Sequence, residues 1–480
     1  MNKWNIVGLR GLWDDIQSSL WFRPGLISLF AVTLALISPY IDQLTSLKFY
    51  VIDADNARTI LSVIASSMLT IVTMTFSILM VALTLTSQQF SSRVLRSFTS
   101  DRAAQNVLGI LIGSFLYSLL VLVTVINTSK TTFVPLLSVL MAIGFALVGI
   151  GTFIFFIDHI AKSIRVSYII QTINDETIKL LDGREVEEVV GHAQMNLPLT
   201  DPVMNQAEAF RINASTAGYI QTIDIEKLAE LTAEYGYIAQ IDGMAGSFVS
   251  KGRPLLYVWN QPTQSDIAET EIAHAKATPT KKIGKSGDVQ PTLSKDLIEK
   301  MQQQFDIGVE RTMYEDILFG IRQLVDIAIK ALSPGVNDPT TARNCIHYLT
   351  NILIQAIRCP DKKISYYSEQ GNLCLIGRTL SFEAMVNLAF DQVRHYGCSD
   401  PLIAEMLLIA LFEIAEETGK QEHLTLLWHH TKLIRNQSDL GIQMQYDRNR
   451  LNNRLFQMAG LLEQDYESVA LNITDENKLV

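Results

Sequence analysis

Ser62, Ser66, Thr70, Thr73, Ser77, Thr84 and Gln88 recur at intervals of mostly three and four residues, in a run without a charge from Ile60 to Ser92. At about 100° per residue they share one arc of roughly 100°, with Met80 as an apolar interruption. Hydroxyls ordered this way across an apolar medium do one of two things. They let helices approach closely and bond across the contact, each hydroxyl also being able to bond the carbonyl one turn earlier. Alternatively they line a water-filled path, one such helix from each subunit, with Met80 as a constriction that gates by dewetting. Asp53 and Asp55 precede the run and would ring the outer mouth of such a path. Arg93 and Arg96 follow it and would serve as interface anchors or as an inner vestibule.

No other constellation carries chemistry. Cys345, Cys359, Cys374 and Cys398 have no CxxC spacing, and His423, His429 and His430 lack a further acidic ligand at helical spacing. No metal and no cofactor are therefore expected. GKSG lacks the earlier glycine and the preceding strand of a phosphate-binding loop. GSFVSKGRPLLYV has the pattern of a biotinyl or lipoyl carrier half-barrel, but no lysine stands at a hairpin tip between methionines, so a structural β-module is expected. No nucleophile, base and orienter stand together, so an enzyme is not expected.

The elements that position the hydroxyl run are membrane spans. The apolar fraction is 48% and its excess lies in the first third of 480 residues. Up to residue 170 there are 11 Lys and Arg against 7 Asp and no Glu; the remainder holds 28 basic against 42 acidic residues. An acidic second part without basic stripes argues against nucleic acid as a partner. Four stretches reach the roughly 20 residues that cross a bilayer: Phe22 to Ile41, Ile60 to Ser87, Val107 to Ile126 and Phe133 to Ile157. Apart from Arg23 they carry no charge, which disfavours a proton-coupled carrier. Gly109, Gly113 and Ser114 in the third, and Ala142, Gly144, Ala146, Gly149 and Gly151 in the fourth, are packing signatures.

Lys and Arg flank the amino terminus, the second connection and the exit from the fourth span, so the positive-inside rule puts both termini in the cytoplasm. Residues 1–21 show the pattern of an interfacial amphipathic helix, with no cleavable leader apparent. From Ile60 to Phe98 the second helix would extend roughly 58 Å, beyond the bilayer, and project inward.

The fold class expected is an α-helical integral membrane domain of four transmembrane helices (22–160) plus a cytosolic α+β part. That part comprises a linking helix and small β-rich module (161–258), a polar linker (259–294), a helical domain (295–465) and an acidic tail (466–480). Arg322, Asp326 and Lys330 at i, i+4 spacing read as a solvated ion row. Ser333-Pro334-Gly335 stops one helix and Asp338-Pro339 starts the next.

The strings LWFRPG, IASSMLTIVTMTFSILMVALTLTSQQFSSRVLRSF, DRAAQNVLGILIGSFLYSLLVL, FIDHIAKSI and FGIRQLVDIAIKALSPGVNDPTTA resemble the bacterial predicted membrane proteins grouped as domain-of-unknown-function family 2254. The resemblance runs from about Trp21 to about Ile434. It implies a multi-pass inner-membrane protein with a cytosolic carboxyl part and implies no catalytic residues. The expected function is a homo-oligomeric ion channel or pore lined by the second span, its partners being the lipid bilayer, copies of itself and small ions. The alternative is a non-conducting membrane scaffold or sensor whose cytosolic part binds a protein or ligand.

Overall fold

The computed structural model describes residues 19, 21–45, 53–89, 101–128, 131–187, 209–261, 293–358, 365–368, 371–378 and 380–472. The chain forms two compact units, divided between Thr172 and Ile173. The amphipathic pattern of residues 1–18, together with Arg93, Arg96 and Cys359, lies outside the described residues.

The first unit holds four helices, each long and apolar enough to cross a membrane: α1 (Phe22–Thr45), α2 (Ala54–Gln89), α3 (Arg102–Thr124) and α4 (Leu136–Ser163). They outrun the spans read from hydropathy. α1 continues through Pro39 and so includes Asp42, while α2 starts six residues before Ile60 and takes in Asp55 and Arg58. The expectation that only Arg23 is charged within the helical spans is thus corrected at the helix ends. Phe133 does not begin α4, because strands β1 (Ile126–Thr128) and β2 (Thr131–Phe133) form a hairpin in which Ile126 pairs with Phe133. Pro135 then stands at the helix N-cap.

Small residues set the crossings. A methyl group on Gly109 would lie 3.0 Å from the Pro24 Cα, and one on Gly113 would lie 3.1 Å from the Ala31 Cβ, so α1 and α3 meet almost backbone to backbone. Gly149 of α4 faces the Met68 sulfur of α2. Gly144 and Gly151 have open space around them and are not packing positions within the protomer.

α5 (Val166–Glu187) leads into the second unit. There β3 (Phe210–Asn213), β4 (Gly218–Ile223), α6 (Ile225–Glu234), β5 (Tyr237–Ile241), β6 (Phe248–Val249) and β7 (Pro254–Asn260) precede the 262–292 stretch. After it come α7 (Lys295–Gln302), β8 (Phe305–Gly308), α8 (Ile317–Ala331), α9 (Pro339–Arg358), β9 (Ser365–Tyr367) and β10 (Leu373–Ile376). Helices α10 (Phe382–Gly397), α11 (Pro401–Glu417), α12 (Gln421–Gly441) and α13 (Gln445–Leu461) follow.

Strands from both sides of that stretch share two sheets, ordered β3-β7-β5-β10-β9 and β6-β4-β8. β10 joins β5 in parallel, the other pairings being antiparallel. This is a different architecture from a carrier half-barrel. Leu228, Leu255, Leu256, Val258, Met301 and Leu375 are among the residues of the joint core.

Local signals place the helices. Asp224 caps α6 through the Lys227 N–H at 3.0 Å, and Asp338 caps α9 through the Thr341 N–H at 3.1 Å. The Thr341 hydroxyl donates to the same carboxylate at 2.5 Å and holds its pKa below the ordinary value. Asn337 takes the left-handed conformation, φ 48°, that the corner before α9 requires. Asp316 caps α8 and is paired with Arg311 at 2.7 Å. Burial pushes its carboxyl up against the pull of that guanidinium. A side chain on Gly246, which has φ 84°, would collide with this carboxylate. The Arg322–Asp326 pair, at 2.8 Å, is largely buried rather than a solvated row.

Candidate functional site: the outward face of α2

Two faces of α2 separate cleanly. Ala54, Ala57, Leu61, Ala65, Met68, Thr75, Leu79, Ala82 and Thr86 are buried, and at 100° per residue they centre roughly 150° from the hydroxyl arc. Their three-and-four spacing gives one continuous seam against the other helices. Leu61 belongs to one apolar cluster with Tyr117 and Val121 of α3, and Met68 and Leu79 to another with Leu111 of α3 and Phe156 of α4.

Opposite that seam, Ser62, Ser66, Thr70, Thr73, Ser77, Met80 and Thr84 are all exposed. The structure brings these seven predicted positions onto one outward face that no other described helix of the protomer covers. Packing inside the protomer therefore does not account for them. The side chain of Gln88 lies outside the described residues. Leu69 and Phe76 flank the arc on one side and Val63, Met74 and Val81 on the other, all exposed. The outward faces of α1 and α4 are of another kind. Leu26, Leu29, Phe30, Leu36 and Ile37 cover the first, and Leu140, Leu147, Val148, Ile150, Ile154 and Phe155 the second.

The early start of α2 adds Thr59 to this face and places Asp55, expected at the outer mouth, within the helix. Thr59 and Asp55 lie three and seven residues before Ser62, fall on the same arc and are exposed. Continuing the spacing upstream of Ile60 would have found them. Asp53 is exposed but stands before the helix, off the arc. Arg58 donates to the Val125 carbonyl at 2.9 Å, tying the first turns of α2 to the end of α3.

The hydroxyl protons point back along the helix. Thr59 donates to the Asp55 carbonyl at 2.8 Å, Ser66 to Ser62 at 2.8 Å and Thr70 to Ser66 at 3.0 Å. Thr73 donates to Thr70, Ser77 to Thr73 and Thr84 to Met80, each at 2.8 Å. Their donors are satisfied without any partner outside the helix.

A second polar group lies inside the unit. Asp42 of α1 accepts from the Leu137 N–H at 2.9 Å, the Ser138 N–H at 3.0 Å and the Ser138 hydroxyl at 2.7 Å. It thereby caps α4, whose own N-cap Pro135 offers no side-chain bond. Ser38 bonds Ser138 at 3.0 Å and Tyr117 at 2.9 Å, so α1, α3 and α4 are joined. Asp101 caps α3 and meets His159 of α4 at 2.5 Å. His159 is thus paired rather than a solvated helix terminus.

In the second unit the rings of His429 and His430 meet edge to face, 6.1 Å between centroids. His423 meets the Thr418 hydroxyl at 3.0 Å and lies against Phe382. His430 is buried against Asn387 at 2.8 Å, and burial pulls its pKa down to about 4. Burial pushes the Cys398 thiol up to about 12 and the Cys345 thiol further still, which leaves both as thiols. Among the described residues, no three His, Cys, Asp or Glu side chains come together as metal ligands.

Four candidate membrane helices followed by a mixed helical and sheet region define the class, a predicted membrane protein. The chain belongs to the predicted membrane protein family DUF2254, whose pattern matches residues 17–413. Uncharacterised proteins of Mycobacterium bovis and of Mycobacterium tuberculosis are each 29% identical over 418 residues, covering 85% of this chain and 74% of theirs. No solved structure matches.

Proposed function

We propose that the protein is a homo-oligomeric ion channel or pore of the bacterial inner membrane, with both termini in the cytoplasm and α2 of each subunit facing the axis. One observation carries this reading: the outward face of α2 is hydroxyl-lined from Thr59 to Thr84 with a single thioether, while those of α1 and α4 are apolar. A face meant for lipid along its whole width has no use for seven hydroxyls. A path between subunits does, and the apolar shoulders of Leu69, Phe76, Val63 and Val81 would seal against neighbouring copies.

Ion flux through purified protein in liposomes tests the reading. Replacing Ser66, Thr73 or Met80 by Trp is expected to abolish most of the flux. Unchanged flux in all three removes α2 as the lining, and a monomeric mass in mild detergent counts against any pore.

The second reading, a non-conducting scaffold or sensor, draws on the self-satisfied hydroxyls. With their protons on their own backbone, the same residues suit a dry contact between copies. Oligomerisation without flux would favour it.

A further inference from the structure

A hydroxyl has one proton and two lone pairs. On α2 the proton is committed inward at Thr59, Ser66, Thr70, Thr73, Ser77 and Thr84. What these oxygens present outward is lone pairs alone. Met80 adds a thioether, a weak acceptor without a donor. Asp55 sets a carboxylate on the same arc at the start of the helix, with its side chain exposed. From Asp55 to Thr84 the arc therefore presents mainly acceptors, Ser62 being the one hydroxyl of the seven whose proton is not held by its own helix.

We propose that this lining selects small monovalent cations over anions. The inference rests on the pore reading and names what passes. A cation can exchange part of its hydration shell for hydroxyl oxygens, as it does for carbonyl oxygens in other filters. An anion needs donors, and to recruit them it would have to break the bond of each hydroxyl to its own helix. Each of those carbonyls keeps its helical N–H, so what an anion would cost is the inward bond of every hydroxyl it recruits.

The test uses the purified full-length protein in planar bilayers under a tenfold KCl gradient, with the reversal potential as readout. The expected result is a preference for K⁺ over Cl⁻ of at least about fivefold. Asp55→Asn should lower that preference roughly twofold to threefold by removing the carboxylate. Thr73→Asn, which places an amide donor on the arc, should raise the relative Cl⁻ permeability. Current with equal permeabilities, or with anion preference, overturns the inference and leaves the pore reading standing. Absence of current in both the native chain and Met80→Ser overturns the pore reading and this inference together.

Discussion

Within one helical unit, Ser38, Tyr117 and Ser138 are buried and bond across three helices to one another and to Asp42. Ser66, Thr70, Thr73, Ser77 and Thr84 of α2 bond only backward along their own helix and face outward. The chemistry of the side chains is the same; the difference is whether a neighbour exists. Ser38, Tyr117 and Ser138 act as cross-links and the outward hydroxyls of α2 as surface, while the buried Thr75 and Thr86 of α2 bond back along their own helix as the outward set does. Hydroxyls at three-and-four spacing are thus insufficient to signal packing within the protomer.

Asp42→Ala should break the buried set most severely. It leaves the Leu137 and Ser138 amide donors without their acceptor, at about 3 kcal/mol. Denaturing-detergent titration followed by helix ellipticity is the check, and a change below about 0.5 kcal/mol would end the idea that this cluster locks the helices.

His430 extends the comparison to the α/β unit. Its ordinary pKa of 6.5 falls to about 4 in the fold, chiefly through burial, with His429 and Arg394 acting in the same direction and Asp391 opposing. A His with a depressed folded pKa contributes stability that is complete above 6.5 and declines as pH falls toward 4. Between pH 7 and pH 5 the loss from this residue should be about 2 kcal/mol. Guanidinium unfolding read from Trp428 fluorescence should show that component in the native chain and not in His430→Gln.

The outward set should be the least sensitive. Thr70→Val with Thr73→Val removes two self-satisfied donors from an exposed face, so unfolding should shift by less than about 0.5 kcal/mol. A loss of 2 kcal/mol or more in detergent-solubilised monomer would show that these hydroxyls have partners within the protomer after all, which would erase the contrast.

How much of this was readable in advance differs by region. The α2 arc was legible because one spacing recurs from Ser62 to Gln88 and is broken by an apolar residue only at Met80. That Asp55 and Thr59 share the arc is not visible from the apolar run, which ends at Ile60 while the helix begins at Ala54. The cap of α4 by Asp42 left no local trace, since its partners lie 95 and 96 residues away. Among the strands, β4 to β7 were visible in alternating and apolar runs next to turn residues. β3, β9 and β10, of three or four residues each, depend on pairing partners far along the chain: β10 is placed by β5, more than 130 positions earlier. The capped helix starts at Asp224 and Asp338 were plain because the capping bond spans only three residues.

The seam by which α2 meets its neighbours has a mechanical consequence. Between Leu61 and Ala82 its buried residues are apolar except for Thr75, whose hydroxyl bonds Ile71 of the same helix. The first turns are pinned through Arg58, while α1, α3 and α4 are cross-linked to one another by Asp42, Ser38, Tyr117 and Asp101. α2 is then a rod in a greased bearing, pivoted at one end. A roll of roughly 70° about its axis would carry Leu69 and Phe76 to where the hydroxyls now face, with no hydrogen bond along the 61–82 seam to be broken.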